Sequence, residues 1–146
     1  MRSSHPARRN SEVREKVKLT NNDDLVSLRK GLIGKREVRT VVVDALIDSG
    51  ASVLLMPQEI VQQLGLDIKE KVWVTLADNK RKKFPKTGTV ELELQGRRDS
   101  FSCLVLPKGS TPLVGQIVLE TLDFIVDCTT GTIKPAHKEG IVYSAM

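Results

Sequence analysis

The apolar residues of this chain come in short, β-branched runs that stop at turn residues, and this limits what it can fold into. The longest, such as Val41–Val43 and Val53–Met56, fall far short of the ~20 residues of a membrane-spanning helix. A core built from such pieces has to be assembled from short strands and turns. About seven short strands and two or three short helices can be read along the 146 residues, which predicts a single, mostly-β domain.

The first strand is expected where Val13, Val17 and Leu19 alternate with charged residues, ending at Asn21-Asn22. Asp23 is placed to cap a short helix carrying Leu25, Leu28 and Leu32, before Gly34. Val38–Ile47 reads as a strand whose second half is buried on both faces. Pro57–Gly65 has the spacing and end residues of a short helix. Strands are expected at Val72–Leu76, Thr89–Leu94 and Phe101–Leu106, with turns at Ala77–Lys80 and Gln95–Arg98. In Thr89–Leu94, Val90, Leu92 and Leu94 alternate with polar residues, the pattern of a strand wet on one face. A second helix over Val114–Leu122 and a hairpin of Phe124–Cys128 with Thr132–Lys134 complete the reading.

Charge divides the chain unevenly. Residues 1–40 hold 11 Lys and Arg against 5 Asp and Glu, whereas residues 41–146 hold 12 against 13. The net charge of +5 therefore belongs to the N-terminal part, and residues 1–12 read as a basic, disordered tail. The domain is expected over 13–135, with a C-terminal tail over 136–146. A second basic run, Lys80–Lys83, reads as a solvated loop between strands, with a cationic surface that would bias a nearby cleft towards acidic or polar substrates as the other reading. Aromatics make up only 3% of the chain, so the core must be aliphatic, and recognition of nucleic acid by base stacking is disfavoured. Cys103 and Cys128 suit neither a disulfide framework nor a zinc site, and with two histidines no protein-built metal site and no cofactor are expected. Both cysteines read as small buried hydrophobes. No apolar stretch follows the basic N-terminus, so the expectation is a cytoplasmic protein without a secretory signal or a membrane partner.

One segment should hold chemistry: Ala45-Leu46-Ile47-Asp48-Ser49-Gly50-Ala51-Ser52, a carboxylate ending an apolar strand and followed at once by a hydroxyl residue and a glycine. A second apolar–glycine junction, Pro112-Leu113-Val114-Gly115, leads into a helix. ALIDSGAS resembles the active-site motif of the retropepsin-like aspartic proteases, and Leu113-Val114-Gly115 resembles that family's second motif. Val72–Gly88 occupies the place of the family's flap hairpin, and Val53–Leu66 is similar to the segment after the catalytic turn in short prokaryotic-type members.

The resemblance implies a closed, barrel-like lobe with one or two short helices and one catalytic residue, Asp48. Because one chain carries one such motif, it also implies a homodimer in which two Asp48 carboxylates share a proton and activate water against a peptide bond. Ser49, Gly50 and Ala51 would support the active-site turn. Leu76, Ala77, Asp78, Asn79 and Leu113 would line the flap and cleft around a peptide or protein substrate. Serine stands where the family usually has threonine, and Ser52 and Gln116 replace a retroviral Asp–Arg pair, where a neutral hydrogen bond is expected. The flap tip has no glycine, although Asn and Asp tolerate left-handed backbone. A non-catalytic dimerisation or peptide-binding module of the same fold is the alternative, and a small nucleic-acid-binding β-barrel using the basic arm is a third reading.

Overall fold

A computed structural model describes residues 12–143 and 145 of the chain. The basic tail expected over 1–12 falls outside the described residues except for Glu12. Among the described residues nine strands and three α-helices follow in order: β1 (Val13–Asn21), α1 (Asn22–Arg29), β2 (Thr40–Ile47), β3 (Leu54–Pro57), α2 (Gln58–Gln63), β4 (Ile68–Thr75), β5 (Arg81–Leu94), β6 (Arg97–Leu106), β7 (Leu113–Val114), α3 (Gln116–Leu122), β8 (Phe124–Asp127) and β9 (Thr132–Pro135).

Seven strands form one sheet in the order β1-β2-β7-β3-β6-β5-β4, and β1 also pairs with β5. Six strands thus close into a hydrogen-bonded ring, and β4 hangs outside it on β5. Closure follows from the length of β5. Val90–Glu93 pair with β1, while Ile68–Thr75 of β4 pair with the other end of β5. A closed ring leaves few exposed edges for another chain to join.

The inward face is set by the period of two along each strand. Val17 and Leu19, then Val43, Ala45 and Ile47, then Val90, Leu92 and Leu94 are all buried. Helix α3 adds Val118, Leu119 and Leu122, so the core is mostly aliphatic, with Phe84, Phe101 and Phe124 the buried aromatics among the described residues. Each fully buried Leu or Val contributes about 1.5–3 kcal/mol relative to an exposed one.

Four local expectations are corrected. The cap of α1 is Asn21, whose side chain accepts from the Asp24 amide, and not Asp23; Leu32 is exposed instead of continuing a helical face. Strand β2 alternates, with Val42 and Asp44 facing out, so only one of its faces is buried. Lys80 alone lies in a turn, because Arg81, Lys82 and Lys83 pair with Thr75, Val74 and Trp73 as the start of β5. Cross-strand pairing and the placing of Lys83 over the Trp73 ring, 5.1 Å from its centroid, hold these cations in a strand. Cys103 is buried, and burial pushes its thiol up to about 12, but Cys128 is exposed.

Asp24 is one of few buried polar residues, and it ties α1 to the start of β2. Its carboxylate accepts from the Arg39 backbone amide, Nε and Nη2, each at 2.9 Å. The Arg39 hydrogen bond holds this carboxyl below the usual carboxylate range. Arg39 in turn lies against Gly65, where a Cβ would come within 1.8 Å of the guanidinium and where φ is +63°. Asp24 has a depressed folded pKa, so its contribution is present above the ordinary carboxylate pKa of about 4 and is lost as pH falls through the folded value. Arg39 is half exposed, which reduces the attraction through solvent screening. Asp24→Asn is expected to cost about 1–2 kcal/mol in urea unfolding at neutral pH and to flatten the acid limb of stability. A variant as stable as the parent at pH 7 would show that the pair does not anchor α1.

Candidate active site

Strand β2 delivers Asp48 to the surface at the point where it runs out of partners. Leu46 and Ile47 pair in parallel with Leu113 and Val114 of β7, and the Asp48 amide donates to the Val114 carbonyl at 2.9 Å. The chain then turns. The Ala51 amide donates to the Asp48 carbonyl at 3.0 Å, and the Gly50 amide donates to Asp48 Oδ1 at 2.9 Å. This is the local bonding an Asp side chain favours at a turn, and it fixes the carboxylate relative to its own loop. Asp48 is half-buried, while Ser49, Gly50 and Ser52 are exposed.

Strand β7 lies between β2 and β3. Its Leu113 and Val114 pair with Leu55 and Leu54 on the other side, so the 48–53 loop has to bridge over it. Gly115 then passes directly beneath that loop. A Cβ there would lie 2.3 Å from the Val53 carbonyl oxygen and 2.8 Å from that of Ala51, closer than any side chain tolerates. Beyond it, the Gln116 and Ile117 amides donate to the Ala51 and Ser52 carbonyls at 2.8 and 3.0 Å. The two sequence motifs are therefore one structural unit. The link expected between the Ser52 and Gln116 side chains is carried by these backbone bonds. At Gly50 a Cβ would stand 3.1 Å from Asp48 Oδ1 and press on the carboxylate.

The β4–β5 hairpin occupies the place where the flap is expected. At its tip the Leu76 amide donates to Lys80 O at 2.8 Å, the Asn79 amide to Leu76 O at 2.9 Å, and the Lys80 amide to Asp78 Oδ1 at 3.0 Å. Asn79 takes φ +67°, the left-handed position a glycine would otherwise fill. Leu76, Ala77, Asp78 and Asn79 are all exposed, and among the described residues no hydrogen bond joins them to the Asp48 loop. The structure thus unites Asp48, Gly50 and Ala51 with Leu113–Gly115 and leaves the flap residues apart from them.

Sequence reasoning did not find a second cluster, which shares no residue with the Asp48 loop. Arg97 Nη1 donates to the Leu122 and Asp123 carbonyls, and its Nη2 donates to that of His137. His137 Nδ1 lies 2.6 Å from Asp123 Oδ2, which also accepts from the Val142 amide. These bonds strap residues 136–142 to the end of α3. The only sequence signal was Asp123 directly after the helix, where it adopts φ +61°.

A family model described as "gag-polyprotein putative aspartyl protease" matches residues 35–121, which include the Asp48 turn, the flap and the second motif. No curated protein matches the chain by sequence. Among solved structures, the retroviral protease-like domain of Ddi1 from Leishmania major is similar. It has 16% identity and a TM-score of 0.51, and the match covers 84% of this chain and 88% of that one. At that identity the likeness concerns the fold.

The close approach at residue 115 generates a direct test. Gly115→Ala is expected to destabilise the protein by about 2–4 kcal/mol, because backbone must move. Gly34→Ala meets only Glu37 Oε1 at 3.8 Å and is expected to change stability by less than about 0.5 kcal/mol. Urea unfolding midpoints for the two variants check the contrast, and equal midpoints would refute the packing account.

Proposed function

Since the chain belongs to the gag-polyprotein aspartyl protease family, we propose that it is an aspartic endopeptidase, active as a homodimer in which two copies of Asp48 meet on the two-fold axis. The observation that carries this reading is the presentation of Asp48. Its backbone is fixed by β7, its Oδ1 is held by Gly50, and its turn projects from the barrel with Ser49 and Gly50 exposed. One chain supplies one such carboxylate, so a pair requires a second copy. The half-exposed Ile117, whose amide is bonded to Ser52, offers an apolar contact beside the turn.

Two carboxylates in hydrogen-bond reach cannot both ionise, so the pair holds one proton between them, as is general for aspartic proteases. The ionised Asp48 takes a proton from a bound water, whose oxygen adds to the scissile carbonyl carbon. The protonated partner's Asp48 donates to the carbonyl oxygen. Collapse of the resulting gem-diol breaks the C–N bond as a proton passes to the amine nitrogen, and the shared-proton state returns. Ser49 hydroxyls would bond across the axis and keep the turns rigid. Leu113 would contribute to the floor of the cleft, and Leu76–Asn79 would close over an extended peptide.

The peptidase unit in this reading is residues 13–135, with the following segment held by Asp123 and Arg97. Among the described residues no helix is long and apolar enough to cross a membrane. The two free thiols suit a reducing compartment such as the cytoplasm.

Asp48→Asn keeps the shape of the side chain but cannot act as base or carry the shared proton. We expect it to fold and to lose hydrolysis of a diverse peptide pool by about 10²–10⁴-fold, read as new termini by mass spectrometry. In the parent, specific activity should fall on dilution below the dimer dissociation constant. Dilution-independent activity from a monomer would refute the shared site. A dimer that binds peptides but leaves the pool uncut would identify a peptide-binding module.

A further inference from the structure

One open seam in the ring of strands lies beside the β4–β5 hairpin. β5 and β6 run together from the Gln95–Gly96 turn as far as Lys86 opposite Leu104, with a bulge between Lys86 and Thr89. Beyond that point they part. Arg81–Pro85 of β5 pair only with β4, and Val105 and Leu106 of β6 pair only with β3, so each strand leaves one backbone edge unpaired towards the other. The gap is a cavity of about 500 Å³, closed on the far side by α2. Buried Val61 and Phe84 and half-buried Leu66 and Val105 form its apolar wall, and Lys82 and Lys83 stand on its rim. The cavity does not include Asp48.

Charge singles out the same place. Residues 68–86 carry seven Lys and Arg against two Asp and Glu, whereas the rest of the described chain carries 13 against 16. The positive charge of the described residues is thus concentrated on the β4–β5 hairpin, and two of its lysines border this apolar gap. We propose that this seam is a docking site for an extended peptide segment that carries a bulky apolar side chain flanked by carboxylates. The apolar side chain would fill the cavity, the carboxylates would meet Lys82 and Lys83, and the peptide backbone would bond to the unpaired edges of β5 or β6, as in strand addition to a sheet. A small anion would leave the strand edges unused, and nucleic acid would meet too few aromatic rings: Trp73 is the exposed ring of the hairpin, and Lys83 already covers it. The docking itself does not depend on Asp48. Only its use in choosing acidic substrates rests on the protease reading.

Binding is measured on the full chain carrying Asp48→Asn, so that no cleavage intervenes, by fluorescence anisotropy of three labelled probes. These are a decapeptide alternating Glu and Leu, the same peptide with Lys for Glu, and a single-stranded oligonucleotide. The acidic peptide is expected to bind, and to weaken as salt is raised. Lys82→Glu with Lys83→Glu should weaken it about tenfold or more, and neutral Lys82→Gln with Lys83→Gln by less. Gln62 is exposed at the mouth of the cavity, so Gln62→Trp should block the gap without touching the core and also cost about tenfold. Unchanged affinity in Gln62→Trp would overturn the seam as the site. Tighter binding of the basic peptide or of the oligonucleotide would overturn the ligand class. Peptide binding without any cleavage by the parent protein would leave this site standing and count against the proposed protease activity alone.

Discussion

The backbone of Gly115 passes so close beneath the 48–53 loop that no side chain fits between them, and the arrangement of the whole lobe follows from that contact. It exists because the two-residue strand β7 is inserted between β2 and β3. The insertion makes β2 end at Asp48, forces the loop to arch over, and aims α3 back into the core through Val118, Leu119 and Leu122. A rigid floor results, on which the carboxylate is placed by backbone hydrogen bonds and not by its own rotamer preference.

The flap is built on the opposite principle. β4 has a single neighbour, its outer half lies beyond the closed ring, and its tip is exposed. Few buried contacts hold it, which suits the closing role proposed for it. The same geometry leaves the seam between β5 and β6. A hairpin that projects from a closed ring has to part from the neighbouring strand somewhere, and here it parts at Lys86.

Much of this was legible in the sequence. The alternation of Val90, Leu92 and Leu94 gave both the strand and its inward face, and Pro57 with Gly65 marked both ends of α2, because these are local rules. The pairing of the Asp48 turn with Leu113–Gly115 came from resemblance, since no local pattern says that residues so far apart in sequence pack together. What failed was set by partners distant in sequence. Asp23 reads as the cap of α1 until Asn21 is seen to accept from the Asp24 amide and Asp24 to bind Arg39, and Arg81–Lys83 look like a loop until Trp73 and Val74 pair with them. Likewise β3 was hidden in an apolar run with no alternation, and its strand character comes from β6 and β7 on either side.

The central claim is that one catalytic centre needs an Asp48 from each of two chains. Subunit mixing tests it most directly. Parent and Asp48→Asn chains are combined at equal concentrations, allowed to exchange subunits, and assayed for hydrolysis at fixed total protein. If the dyad is shared, mixed dimers are inactive and random pairing leaves about a quarter of the parental activity. Retention of about half, with exchange confirmed, would mean that each chain works alone and would contradict the account.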